Sequence, residues 1–339
     1  MYTLIRALLF HLKPELAHTV TLRAISLAGG IPLVPGLLRQ VYRAGDKPVN
    51  VFGLNFRNPI GLAAGYDKDA LGWRGLACLG FGHIEIGTVT LKPQPGNPKP
   101  RIFRIPEDRA VINRMGFPGD GAQVVARRLA GKRPDGLILG VNLGKNKDTP
   151  LDDAAQDYLE LLKLFYRLAD YLAVNVSSPN TVGLRRLQAR EMLTGLLGAL
   201  AKERTKQEPK VGKKVPILVK LAPDLTDEEL DDALAAVGDT GMDGVIATNT
   251  TLSRDGVEST LAGQAGGLSG APLTLRSRQM VAKIVQRTDY QLPVIGVGGI
   301  MTPIDARAML DAGASLVQVY TGLIYAGPKL VQRIVKEVP

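Results

Sequence analysis

The chain has 339 residues, of which 45% are hydrophobic and 22% charged, a composition that is typical of a globular protein and excludes a disordered one. A single cysteine, Cys78, and three histidines exclude an internal disulfide and leave little for a metal centre. The net charge of +10 suits anionic small molecules or anionic membrane surfaces, whereas 5% aromatic residues and the lack of a basic-aromatic motif argue against nucleic-acid binding.

Residues 1–45 form the first predicted unit, an amphipathic helical extension. Apolar side chains at helical spacing predict one helix in "YTLIRALLFHL" and a second that begins at Pro14 and ends at Gly29-Gly30. The following "IPLVPGLLRQVY" is apolar and interrupted by prolines. Residues 1–50 carry six basic and two acidic side chains, so this segment either lies on a membrane surface or packs as a hairpin against the main body. No spanning helix and no secretory signal are expected.

From residue 59 onward, short β-type runs alternate with amphipathic helices. Eight strands are predicted, at 59–65, 83–89, 137–144, 171–177, 216–223, 244–250, 293–299 and 315–322. Thr226 and Glu229 predict a capping box on one intervening helix. The pattern indicates an α/β fold in which residues 46–339 form a parallel (β/α)8 TIM barrel. A doubly wound open sheet is the alternative, but no glycine fingerprint follows the first strand. The segments 91–113 and 251–270 should cover one end of the barrel.

Polar side chains recur where these strands end, which in a barrel is where the active site is built. They are Asp67, Lys68, Thr88, Asn142, Lys145, Asn175, Ser178, Asn180, Lys220, Thr248, Asn249 and Thr250. Amides, hydroxyls and ammonium groups suit a planar, imide-like, anionic ligand. A carboxylate pair for glycoside hydrolysis and a set of metal ligands are both missing, so no metal is expected. His83 precedes its strand and is expected at the opposite end of the barrel.

Glycine-rich segments follow the last two predicted strands. "GVGGI" (296–300) and "YTGLIYAGP" (320–328) fit a phosphate cradle, since loops seven and eight of barrels often hold phosphate. A flavin mononucleotide (FMN) would supply the phosphate, together with a ring that needs amide and lysine partners. A phosphate-binding barrel isomerase or lyase would explain the glycines without a flavin.

The motifs "NPIGLAAGYDKD", "IEIGTVTLKPQPGNPKPRIFR", "INRMGF", "GVNLGKNKDT", "NVSSPNT", "KLAPDL", "GVIATNTT", "GGLSG", "VIGVGGI" and "LVQVYTG" occur in this order along the chain. In content and order the chain closely resembles the dihydroorotate dehydrogenase family, specifically its class 2, quinone-reducing, bacterial type. The resemblance implies oxidation of dihydroorotate to orotate in pyrimidine (UMP) synthesis. It implies proton abstraction at C5, hydride transfer from C6 to N5 of FMN, and a membrane quinone as the final electron acceptor.

The resemblance also implies site residues. Ser178 matches the catalytic base, at a position where the soluble class 1 enzymes have cysteine. The implied substrate contacts are Lys68, Asn113, Arg114, Met115, Gly116, Phe117, Asn175, Asn180, Asn249 and Thr250. The implied FMN contacts are Ala64, Gly65, Tyr66, Asp67, Lys68, Thr88, Asn142, Asn175, Lys220, Thr248, Gly270, Gly299, Tyr320 and Thr321. Pro118 and Gly119 depart from the asparagine pair expected after "NRMGF", which could alter the loop beside the substrate.

For residues 1–45 the resemblance implies the mouth of a quinone tunnel that rests on the cytoplasmic face of the cell inner membrane as a peripheral contact. A monomer without nucleic-acid partners is expected. Another FMN barrel oxidoreductase acting on a related pyrimidine is the nearest alternative. A non-catalytic membrane-surface protein would leave the polar strand ends unexplained.

Overall fold

Three helices precede the barrel in the computed structural model, which describes residues 2–338. Helices α1 (Tyr2–His11) and α2 (Pro14–Gly30) confirm the two predicted helices. A third, α3 (Val34–Val41), occupies the proline-containing stretch. Its Pro35 lies in the first turn, where the backbone N–H has no partner within the helix in any case, so the proline is tolerated.

Eight parallel strands close into a barrel, and all eight were predicted. In chain order they are β3 (Ile60–Leu62), β4 (His83–Val89), β7 (Ile138–Leu143), β8 (Tyr171–Asn175), β9 (Ile217–Leu221), β10 (Gly244–Ala247), β12 (Val294–Val297) and β13 (Leu316–Val319). Nearly every residue in them is buried, because helices cover the outside of the barrel and side chains fill the inside. The predicted strands ran up to three residues too far, into polar segments that turn away as loops.

The outer helices alternate with the strands, so the fold is a (β/α)8 TIM barrel. They are α4 (Trp73–Leu76), α5 (Ala122–Leu129), α6 (Ala154–Phe165), α7 (Arg190–Val211), α8 (Asp227–Asp239), α9 (Thr274–Arg287), α10 (Pro303–Asp311), α11 (Thr321–Ala326) and α12 (Lys329–Glu337). Helix α8 begins with the predicted capping box, in which Thr226 Oγ1 accepts from Glu229 N at 3.2 Å. The reciprocal bond runs from Thr226 N to the Glu229 carboxylate at 2.8 Å.

The two ends of the barrel differ. A hairpin of β1 (Val49–Val51) and β2 (Leu54–Phe56) closes the amino-terminal end, where Phe52 and Phe56 pack on the inward side chains of the strands. At the other end, β5 (Ile102–Ile105), β6 (Ala110–Asn113) and β11 (Gly267–Gly270) form an antiparallel sheet. The predicted cover is therefore partly a sheet, which the sequence did not predict because its strands come from two distant segments.

The amino-terminal helices are tied to the barrel by polar contacts. Tyr2 Oη donates to the Ile324 carbonyl at 2.6 Å, and Arg104 donates to the Phe10 carbonyl at 2.7 Å. Arg101 pairs with Glu15 at 2.8 Å. The amino-terminal segment also exposes large apolar side chains, namely Leu4, Ile5, Leu8, Leu16, Val20, Leu27, Ile31, Leu33, Leu37 and Val41, which together are called the apolar helix face below.

Within residues 2–338, length and apolar character single out no individual helix that could span a membrane; only α2 and α3 taken together meet those criteria, across a 112° bend.

Candidate active site

A cavity of about 910 Å³ opens at the carboxyl ends of the barrel strands and continues between the barrel and the amino-terminal helices. Its inner end is lined by polar side chains, among them Lys68, Asn175 and Asn249. Its outer end is lined by apolar residues of α1, α2 and α3, such as Leu9 and Ile25. One continuous space thus joins a polar chamber to an apolar passage.

Amides and hydroxyls from neighbouring strand ends are bonded to one another in the chamber. Asn175 Nδ2 donates to Thr88 Oγ1 at 2.8 Å, and Thr88 Oγ1 donates to Asn142 Oδ1 at 2.5 Å. Asn249 Nδ2 donates to Asn175 Oδ1 at 3.3 Å and to Ser177 Oγ at 3.0 Å. These bonds fix which edge of each amide faces the cavity, so the chamber is preorganised for a ligand with fixed donors and acceptors.

Ser178 lies in the loop after β8 and lines the chamber with 5% of its surface exposed. Among the residues that the structure describes, the only bond to its hydroxyl comes from the backbone N–H of Asn180, at 3.3 Å. The Asn180 side chain in turn donates to Asn113 Oδ1 at 3.3 Å, which links this loop to β6. The Ser178 hydroxyl therefore keeps its own proton and a lone pair for a bound molecule.

Two lysines bring positive charge to the chamber. Lys68 Nζ donates to the Gly65 carbonyl at 2.6 Å, and no ion pair with Asp67 or Asp69 is found among the described residues. Burial lowers the pKa of Lys68 to about 8. Lys220 is only 5% exposed and lies 4.0 Å from a carboxylate oxygen of Glu85. Burial lowers the pKa of Lys220, and the nearby Glu85 charge opposes that shift.

Glycine-rich loops form the wall after β12 and β13. Gly298 and Gly299 have φ of 119° and 68°, angles that residues with a Cβ rarely adopt, and a Cβ on Gly299 would lie 2.2 Å from the Thr274 backbone. Thr274 Oγ1 donates to the Gly299 carbonyl at 2.7 Å, and the hydroxyls of Ser269 and Thr321 are 2.9 Å apart. The loops are held in place and leave backbone exposed to the cavity, as a phosphate cradle requires.

The structure brings most of the predicted contact residues to this cavity. Its lining includes Ala64, Gly65, Tyr66, Lys68, Thr88, Asn113, Met115, Gly116, Phe117, Asn175, Ser178, Asn180, Lys220, Thr248, Asn249, Thr250, Gly270, Gly299, Tyr320 and Thr321. They arrive from the ends of seven of the eight barrel strands, all except β7, and from the antiparallel sheet, so the barrel topology accounts for their convergence.

Three predicted contact residues lie outside the lining. The Asp67 carboxylate accepts from two backbone N–H groups of its own loop, those of Leu71 and Gly72, each at 2.8 Å. Arg114 donates to Gln264 at 3.0 Å, and its guanidinium packs over an aromatic ring. Asn142 lies behind Thr88 and Asn175 and reaches the chamber only through them.

Lys145, a strand-end residue, also turns away, because its ammonium donates to the Asn146 carbonyl at 2.8 Å. In the loop after "NRMGF", Gly119 pairs with Gln94 through two backbone bonds of 3.0 Å. The Gln94 side chain donates to the carbonyls of Gly116 and Phe117 at 3.1 and 3.0 Å. This segment with Pro118 is therefore held against the cavity wall.

Sequence reasoning missed four residues around the site. Glu85 lies inside the barrel beneath the chamber and Gln318 lines the cavity, and each is a polar residue within an apolar strand, which was an available signal. His18 lines the passage and stacks edge-on against Tyr66, and burial lowers its pKa to about 4, so it is neutral near pH 7. Arg185 binds three loops, and no local pattern indicated this.

Comparisons with known proteins show the family to which the chain belongs. The family model for dihydroorotate dehydrogenase matches residues 48–339. The chain belongs to the dihydroorotate dehydrogenase family. A curated relative from Acidithiobacillus ferrooxidans, named dihydroorotate dehydrogenase (quinone), is 50% identical, covering 100% of this chain and 94% of the relative. The protein of that name from Pseudomonas putida is 50% identical over 99% of this chain and 98% of its own length.

Solved structures of the dihydroorotate dehydrogenase family show the same fold. The ligand-free enzyme of Eimeria tenella superposes with a TM-score of 0.86 at 42% identity, over 96% of this chain and 93% of that one. A complex of the Eimeria tenella enzyme with ferulenol gives a TM-score of 0.84 at 41% identity. The sequence match to the Acidithiobacillus ferrooxidans relative covers 100% of this chain, so the amino-terminal residues are included in the likeness.

Proposed function

We propose that this protein oxidises dihydroorotate to orotate, with FMN as hydride acceptor and a membrane quinone as final electron acceptor. The observation that carries the proposal is the single cavity that joins a polar, lysine-containing chamber to an apolar passage. The first environment suits a small anionic imide and the second suits a hydrophobic quinone. The names of the curated relatives agree with both halves of the reaction.

At the polar end, Lys68 offers a cation for the substrate carboxylate, and the asparagine amides offer paired donors and acceptors for the imide edge. Ser178 Oγ would take the proton from C5 of dihydroorotate while it gives up its own hydroxyl proton to solvent in the cavity. The hydride would leave C6 for the bound flavin, so that the C5–C6 double bond of orotate forms. The Asn180 N–H that points at this oxygen stabilises negative charge as it develops there. Ser178 is the catalytic residue of this proposal.

FMN fits the donor set of the cavity. The glycine wall that includes Gly270 and Gly299 admits close approach of a phosphate, since a Cβ at Gly299 would require the Thr274 backbone to move. Thr88, Asn175 and Lys220 line the chamber and would hold the ring system through their hydroxyl, amide and ammonium groups. When bound, FMN supplies the two-electron acceptor. Lys220 would then stabilise the negative charge that the ring gains on reduction.

At the apolar end, α1, α2 and α3 line the passage, and the segment that contains them carries the exposed apolar helix face. Leu33 is 91% exposed, Leu4 73% and Leu8 71%, which is unusual for leucine in a soluble domain. Exposed basic residues, such as Lys13 and Arg23, lie in the same segment. We infer peripheral attachment of this face to an anionic membrane surface, from which a quinone enters the passage directly.

A steady-state assay tests the proposal. The purified protein should show a flavin absorption band and oxidise dihydroorotate with a quinone, and it should do so poorly with fumarate or NAD. A colourless protein that cannot be reconstituted with FMN would refute the cofactor assignment. Flavin without dihydroorotate turnover would favour an oxidoreductase for a related pyrimidine.

A further inference from the structure

Glu85 and Lys220 have a unique place in the fold. They are the only acidic residue and the only lysine or arginine in the eight described barrel strands. Glu85 has no exposed surface and lies in the middle of β4, whereas Lys220 lines the chamber from β9. An unpaired charge is costly at such depth, so each of these residues needs compensation from the other or from hydrogen bonds.

The Glu85 carboxylate accepts hydrogen bonds from three strands. Asn142 Nδ2 donates to Oε1 at 2.8 Å, while Tyr171 Oη and Gln318 Nε2 each donate to Oε2 at 2.9 Å. Lys220 Nζ lies 4.0 Å from Oε1. Three donors and a cation thus surround one buried carboxyl group and compensate for the loss of water around it.

Through these bonds Glu85 acts on the chamber without lining it. Since the Asn142 N–H bond to Glu85 fixes the amide, Asn142 Oδ1 must face Thr88 and Asn175 and accept from both. The negative charge also opposes the effect of burial on the pKa of Lys220 and so favours the ammonium form. Loss of the Glu85 charge would disturb both the amide orientation and the lysine charge.

We propose that Glu85 is a positioning residue of the cofactor site, which keeps Lys220 cationic and fixes the amide of Asn142. The proposal rests on the proposed flavin function and adds to it a determinant of the flavin's redox balance. Other titratable groups that face Glu85 are His83 on its own strand and Tyr171 on β8; β7 and β13 present only neutral amides to it. Burial lowers the pKa of His83 to about 3 and raises that of Tyr171 well above 10, so neither titrates near neutral pH.

The first test is the midpoint potential of the bound FMN in the holoenzyme. It would be measured at about pH 5 and about pH 9, which bracket the range where a buried lysine without a counter-charge titrates. A lysine is cationic below its pKa and neutral above it. In Glu85→Gln the Lys220 charge should therefore be lost as the pH rises. Between about pH 5 and about pH 9, the equilibrium constant for reduction of the bound FMN should then fall about tenfold more in this variant than in the wild type. For a two-electron couple this is an additional drop of ~30 mV in the midpoint potential.

Lys68, whose pKa is about 8, also titrates in this range. It does so in both the wild type and Glu85→Gln, so its effect on the FMN midpoint potential cancels when the two proteins are compared. The extra pH dependence should vanish when Glu85→Gln is combined with Lys220→Met, and it should be absent from Glu203→Gln, which neutralises a buried glutamate on α7 outside the barrel. The same pH dependence in Glu85→Gln and wild type would overturn the proposal. So would an extra shift that persists without Lys220.

A second test needs no flavin and covers the case in which a single variant folds poorly. Each single neutral variant leaves one buried charge without its partner, whereas the double variant leaves none. The full-length double variant should therefore melt at a higher temperature than either single variant. If the double variant instead loses as much melting temperature as the two single variants combined, the proposed pairing of Glu85 with Lys220 is overturned. A protein that never holds FMN would refute the proposed function but would leave this stability test intact.

Discussion

Loss of Arg185 should change the arrangement of the site while leaving every residue that lines the cavity in the chain. Its guanidinium donates to the Ser177 carbonyl at 3.0 Å, to the Asp224 carboxylate at 2.8 Å and to the Thr250 carbonyl at 3.0 Å. These acceptors lie in the loops after β8, β9 and β10. One side chain outside the cavity lining thus joins the loop of the proposed catalytic serine to two neighbouring loops.

The cost of Arg185→Ala follows from these three bonds. Hydrogen bonds to charged groups are worth about 1.5–3 kcal/mol each. The side chain is 22% exposed, and Arg276 lies 3.7 Å from Asp224 and can compensate in part, so a loss of about 2–4 kcal/mol is expected rather than the full sum. If the loop moves by about 1 Å, the turnover number should fall ~100-fold, since catalysis depends steeply on the placement of reacting groups.

The assay would compare the turnover number, the flavin content and the unfolding free energy of Arg185→Ala with those of Arg186→Ala. Arg186 is the exposed neighbour on the same short helical turn, so it controls for loss of charge and for local helix propensity. Arg185→Ala should keep its flavin, because none of its bonds reaches the glycine wall. Turnover and stability equal to those of Arg186→Ala would refute the view that this guanidinium positions the loops.

Three further predictions address the parts of the site. Ser178→Ala should retain FMN and lose most turnover near neutral pH, because the proton acceptor is gone; wild-type rates would remove Ser178 from the mechanism. Since burial lowers the pKa of Lys68 to about 8, the lysine is cationic below that pH, and KM for dihydroorotate should rise as the pH increases through it. In Lys68→Met, KM for dihydroorotate should be high and should not change with pH over this range. If KM still rises with pH in this variant, the pH dependence belongs to another group. Ala28→Trp, which fills the apolar passage, should slow quinone reduction while stopped-flow reduction of FMN by dihydroorotate stays normal; equal losses in both half-reactions would contradict separate ends of the cavity.

Much of the fold was predictable from the sequence because its signals are local. Continuous apolar runs of strand length, separated by amphipathic helices, indicated the eight barrel strands, and Thr226 with Glu229 indicated the start of α8. Parallel strands in a barrel place their carboxyl ends at one rim, so polar residues that follow them converge whatever their separation along the chain. For that reason the sequence by itself predicts that Lys68, Ser178 and Lys220 belong to one site, and all three line the same cavity.

Only the tertiary structure decided where individual side chains point and which distant segments pair. Asp67 and Asn142 have the right position in sequence, yet one binds its own loop and the other lies behind the chamber wall. The pairing of Glu85 with Lys220 and the sheet formed by β5, β6 and β11 each depend on contacts between segments far apart in the chain. A sequence pattern records periodicity and local bonding, whereas side-chain direction and long-range pairing are settled by packing, when each buried polar group finds its partner in the folded barrel.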